Sequence, residues 1–174
     1  MRKIIGSAAM LATLLGAVLF QATPALANSP VNGGIFEVFM PFNANGMKCL
    51  DDPGFSKTAG QALIVHSCHA SDGKGDNQLW EFFTASPDVW KIRSIVSHLC
   101  VQPRIGSTAV VQDNCNFAAA QWTLTWIDNT FALVNAQTGG CLANDTGQNG
   151  SPVVIESCVF WDHSHNPAQT WDLG

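Results

Sequence analysis

One pattern of residues recurs three times along the chain, and it limits the possible folds more than any other feature. The first copy reads Cys49-Leu50-Asp51, then Gly60, the apolar run Ala62-Leu63-Ile64-Val65-His66-Ser67-Cys68, and Asn77-Gln78-Leu79-Trp80. The second reads Cys100-Val101-Gln102, Gly106, Ala109-Val110-Val111-Gln112-Asp113-Asn114-Cys115 and Ala120-Gln121-Trp122. The third reads Cys141-Leu142-Ala143, Gly150, Val153-Val154-Ile155-Glu156-Ser157-Cys158 and Gln169-Thr170-Trp171. The leading cysteines lie 51 and 41 residues apart and the closing tryptophans 42 and 49. Periods of that size mark an architecture of repeated units that bury a shared core.

Each copy carries two cysteines. Six cysteines allow 15 pairings, and only Cys49–Cys68, Cys100–Cys115 and Cys141–Cys158 repeats identically in every copy. Loops of this size, once closed, contribute on the order of 3 kcal/mol each in the chain-entropy model. No Cys-x-x-Cys is present, so a zinc ribbon is not expected.

Disulfides imply an oxidising compartment, and the N-terminus agrees. Arg2 and Lys3 precede an apolar run from Ile4 to Phe20, followed by Pro24 and the small-x-small site Ala25-Leu26-Ala27. This is the pattern of a secretory signal over residues 1–27. The competing reading is an uncleaved membrane anchor, since the run approaches spanning length; no second apolar span follows. A secreted protein with no membrane attachment after cleavage is expected. Without Arg2 and Lys3, 6 Lys and Arg face 13 Asp and Glu, a net charge of −7. Such a surface disfavours nucleic acid, which needs clustered cations, and anionic lipid. A neutral polar partner suits it better.

The strands follow from alternation. Ile35–Met40, Val89–Ser94 and Thr130–Asn135 align so that Phe36, Trp90 and Phe131 share one position and Val38, Ile92 and Leu133 another, with one face buried. A second strand is expected across each leading cysteine, a third along each apolar run, and a fourth after each Trp. Asn45-Gly46, Pro53-Gly54, Asp72-Gly73, Gly139-Gly140 and Asn149-Gly150 supply turns between them. Four strands in each of three copies make an all-β domain of roughly twelve strands that closes on itself.

Residues 34–174 resemble the ricin B-chain type of lectin, a carbohydrate-binding family marked by three Gln-x-Trp repeats. Gln78-Leu79-Trp80 and Gln169-Thr170-Trp171 match that motif; Ala120-Gln121-Trp122 keeps the Trp and moves the Gln by one place. The resemblance implies a β-trefoil, three repeats of four short strands with one disulfide inside each, and a glycan partner of galactose type. It implies no cofactor and no metal, and a monomer is expected.

In such a family the acid lies two residues after the first cysteine, a stacking ring two before the second, and an Asn-Gln pair opens the Gln-x-Trp element. Carried over, the carbohydrate site of the first copy is Asp51, His66 and Asn77, with Gln78 tying it to the backbone. A carboxylate accepts from two vicinal hydroxyls, an amide donates and accepts, and a ring covers the C–H face of a sugar. The departure is His66, a smaller platform than Trp, Tyr or Phe. In the second copy Gln102, Asp113 and Ala119 or Ala120 stand at these places, and that copy is expected to be silent. In the third they are Ala143, Glu156 and Ala168, with Asn144, Asp145 and Trp161 nearby as the makings of an irregular site.

Blander roles compete with each of these. Asp51 with Asp52 and Pro53 opens a turn, His66 is an exposed strand residue, and Asn77 is a turn residue. Trp80, Trp122 and Trp171 are core pillars whose Nε1–H needs an internal acceptor, and Gln78 and Gln169 hold the backbone. His163-Ser164-His165 invites a metal reading, but without a third marked ligand it reads as a solvated loop. No nucleophile elbow, His-Glu-x-x-His or phosphate loop is present, so no enzyme is expected. The rival to a lectin is a trefoil with decayed sugar sites that serves as a protein-interaction or inhibitor module.

Overall fold

The computed structural model describes residues 29–69, 75–159 and 166–174. The leader, Trp161 and His163-Ser164-His165 lie outside the described residues.

Each apolar strand candidate folds as its alternation requires. The first repeat supplies β1 (Gly34–Met40), β2 (Lys48–Asp51), β3 (Gln61–Ala62), β4 (Ile64–Ser67) and β5 (Leu79–Ser86). The second supplies β6 (Val89–Ser94), β7 (Cys100–Pro103), β8 (Val110–Asp113) and β9 (Trp122–Ile127). The third supplies β10 (Thr130–Asn135), β11 (Cys141–Ala143), β12 (Ser151–Pro152), β13 (Val154–Glu156) and β14 (Asp172–Leu173). Beyond the expected four per copy there are two short pieces, β3 and β12.

The first and fourth strands of the three repeats close a barrel. β1 pairs with β5, β5 with β6, β6 with β9 and β9 with β10, all antiparallel. A bridge between Phe131 and Trp171 and the pairing of β14 with β1 complete the ring. Closure leaves no free edge among these six strands. The face turned inward is the one the alternation marked: Val38, Ile92, Leu133 and Phe131 are fully buried, and Phe36 and Trp90 pack against them.

The second and third strands form three hairpins, β2 with β4, β7 with β8 and β11 with β13. They cap the barrel and meet at a triangle of backbone bonds. Leu63 N donates to Val110 O, Val110 N to Val153 O, and Val153 N to Leu63 O, each at 3.0 Å. All three side chains are fully buried. Each copy therefore satisfies the next one's backbone, and this accounts for the two extra strands. β3 pairs with β8, Ala109 bridges Val154, and β12 pairs with β4. The turn before each of these strands needs the left-handed backbone, which glycine adopts without strain: φ is +81° at Gly60, +73° at Gly106 and +81° at Gly150.

The three tryptophans are pillars. Each is fully buried, and each donates Nε1–H to the carbonyl just after its repeat's first cysteine: Trp80 to Leu50 (3.0 Å), Trp122 to Val101 (2.8 Å) and Trp171 to Leu142 (2.9 Å). The disulfides are Cys49–Cys68, Cys100–Cys115 and Cys141–Cys158, one inside each repeat.

Candidate functional site

The leading cysteine places the acid. Cys49 is fixed in β2 by its disulfide and by pairing with β4, so Asp51 leaves the strand end at a set position. Asn77 and Gln78 lie in the single 3₁₀ turn Asp76–Gln78 that precedes β5, which brings both amides beneath that carboxylate. Asn77 Nδ2 donates to Asp51 Oδ1 at 2.9 Å and Gln78 Nε2 to Asp51 Oδ2 at 2.8 Å. Gln78 also donates to Ser67 O (3.1 Å) and accepts from His69 N (2.9 Å), tying the site to the chain around Cys68. One side chain thus fixes the acid and the backbone together.

His66 and His69 complete the group. A ring nitrogen of each comes within 4.8 Å of a carboxylate oxygen of Asp51, and their centroids are 5.8 Å apart. His69 Nε2 stands 3.8 Å from Asp51 Oδ2, too far for a hydrogen bond. Asp51, Asn77 and Gln78 are almost wholly buried, whereas the two histidines are half-buried, so the rings are what solvent meets. The structure therefore brings Asp51, His66, Asn77 and Gln78 into one cluster and adds His69. The sequence reading missed His69 because residues three apart point to opposite faces of a strand; β4 ends at Ser67, so His69 lies outside it.

Burial raises the Asp51 pKa, against the opposing pull of the Gln78 bond, the two imidazoles and the Asn77 bond. Its neighbour Asp52 is fully buried and is pushed up to about 7, first by burial and then by the charge of Asp51, with the Gln112 amide pulling the other way. Gln112 Nε2 donates to Asp52 Oδ1 at 3.1 Å and to Ser56 O at 2.8 Å, so this acid links the first repeat to the second. Asn77 Oδ1, Asp52 Oδ2 and His69 Nδ1 are buried and have no hydrogen-bond partner. Buried acceptors left open in this way cost free energy until a donor arrives.

The equivalent places in the other repeats differ. In the second, Gln102, Asp113 and Ala119 line a hollow of about 370 Å³ together with Phe117 and Ile105, which are 52% and 96% exposed. Phe117 offers a ring that its sequence position, two residues after the second cysteine, did not mark. In the third, Asn144 is buried and spends its amide internally: Nδ2 donates to Ser151 Oγ and Pro152 O, and Oδ1 accepts from Gly147 N. It is a turn-holder. Asp145 lies against Glu156, whose pKa is raised by burial and by that neighbouring acid.

A closed six-strand barrel capped by three cystine-stapled hairpins, each anchored by a Trp, defines a β-trefoil. A family model described as ricin-type beta-trefoil lectin domain matches residues 41–171, and the chain belongs to that family. Its members are non-catalytic lectin modules, though such modules also occur within toxins and enzymes. Three solved structures share the fold. A designed threefold-symmetric protein, ThreeFoil, is 23% identical with a TM-score of 0.68, covering 80% of this chain and 96% of its own. The ricin B-like lectin of Macrolepiota procera, solved with lactose, is 20% identical with a TM-score of 0.62, covering 84% and 98%. The Rhizoctonia solani agglutinin is 18% identical with a TM-score of 0.66, covering 84% and 98%. No curated protein sequence matches the chain.

Proposed function

We propose that the protein is a secreted lectin that binds a neutral, galactose-type saccharide through the first repeat. One observation carries this reading. The Asp51 carboxylate is held by two amides, and beside it Asn77 Oδ1 is a buried acceptor without a donor. Two vicinal hydroxyls would donate to these oxygens, and the His66 ring would lie along the C–H face. The resemblance of the fold to a lectin solved with lactose supports the same ligand class. An imidazole covers less of a sugar than an indole, so a monosaccharide Kd of about 1 mM, roughly −4 kcal/mol, is expected.

The test is titration of the purified protein with galactose and lactose, alongside a glycan array, for the natural chain and for Asp51→Ala and Asp51→Asn. Binding that disappears in folded variants supports the assignment. Binding that persists unchanged in both removes it.

A second reading is favoured by the second-repeat hollow, whose rim exposes Ile105 and Phe117. Exposed apolar side chains grouped around a hollow suit a protein partner. Capture of a protein by this face, lost in Phe117→Ser, together with silence toward all neutral glycans, would select it.

A further inference from the structure

We propose that Asp51, His66 and His69 form a site for a divalent transition metal of the zinc type. This does not rest on saccharide binding: it concerns the same corner of the fold but a different ligand.

The donor set is the argument. One carboxylate oxygen and two imidazole nitrogens each lie within 4.8 Å of the other two. Zinc bonds of about 2.0–2.2 Å in a tetrahedron place donors about 3.3 Å apart, so the groups must close by at most about 1.5 Å. Both histidines are half-buried, so an ion can reach their rings from solvent. Imidazole and carboxylate are ligands that zinc accepts, and three protein donors leave a fourth position for water.

The surroundings suit the ion. Gln78 Nε2 and Asn77 Nδ2 hold the two oxygens of Asp51, which is the outer hydrogen bonding that orients a ligating carboxylate. Asp52 sits immediately behind it, fully buried, with Oδ2 lacking a partner. Two adjacent buried carboxylates, held by the amides of Asn77, Gln78 and Gln112, are still costly to keep ionised, and a dication beside them offsets that cost. The sequence hides the site, because His66 and His69 become a pair only where β4 ends, at Ser67.

The experiment is calorimetric titration of chelator-treated protein with zinc chloride alone, in the absence of sugar, with thermal melts to confirm that each variant is folded. One zinc per chain is expected. In His66→Ala and His69→Ala the Kd should rise at least about tenfold, since even outer-shell losses cost 10–100-fold. The double variant His163→Ala/His165→Ala should bind as the natural chain does. Cobalt(II) substituted at the site should show tetrahedral absorption that His69→Ala abolishes. Unchanged zinc binding in both single variants, or loss of binding in the double variant, overturns the assignment. Because no saccharide is present, failure here leaves the lectin reading to be decided by its own titration.

Discussion

Gln78 donates through Nε2 to Asp51 Oδ2 at 2.8 Å, whereas its counterpart Gln169 meets the Glu156 carboxylate instead, because Ala143 stands where Asp51 does. Both glutamines hold the backbone in the same way. Gln169 Nε2 donates to Ser157 O and Oε1 accepts from Val159 N, matching Gln78 with Ser67 and His69. Only Gln78 shares its carboxylate with an Asn, since Asn77 Nδ2 donates to the other oxygen of Asp51. Replacing either by Ala strands buried backbone groups and should cost about 1–3 kcal/mol of stability. Gln78→Ala should also weaken saccharide binding, and Gln169→Ala should not. Denaturant melts paired with sugar titration check both halves.

The tryptophan pillars predict a stability effect repeated around the pseudo-threefold. Trp122→Phe removes the donor to Val101 O and part of a fully buried side chain. A loss of about 1–3 kcal/mol is expected. Trp80→Phe and Trp171→Phe should cost about as much, since their acceptors are equivalent. Urea unfolding of the three variants tests whether the repeats share the load.

The middle disulfide can be probed without touching the site. Cys100→Ser with Cys115→Ser opens a loop of sequence separation 15 in the second repeat. Stability should fall by about 3 kcal/mol, while titration at the first repeat stays as in the natural chain.

Asp52 predicts an unusual pH trend. Its folded pKa, about 7, lies above the ordinary value of 3.8. A carboxyl shifted this way binds its proton more tightly when folded. Its contribution is therefore fully present below pH 3.8 and is lost as the pH rises through about 7. At about 1.4 kcal/mol per unit of pKa difference, the change is of the order of a few kcal/mol. Asp52→Asn should flatten the stability profile between about pH 4 and pH 7 and stabilise the protein relative to the natural chain above that range. Melting curves across that range compare the two, and a natural chain that gains stability relative to the variant as pH rises contradicts the assignment.

Much of the fold was legible in the letters. Val89–Ser94 and Thr130–Asn135 were readable because alternation with one buried face has a period of two, and the observed strands carry those bounds. The disulfides were readable because one pairing alone repeats. The need of each Trp for an internal acceptor was readable; which carbonyl supplied it was not.

Sequence by itself determined the threefold unit, its strands and its staples, since periodicity and the chemistry of cysteine are local properties of a chain. Tertiary structure alone decided the triangle of Leu63, Val110 and Val153, the extra strands it pairs, and the company Asp51 keeps. Those contacts join residues distant in the chain, or neighbours such as His66 and His69 that meet only where a strand stops, and no spacing of letters encodes where a backbone turns in space.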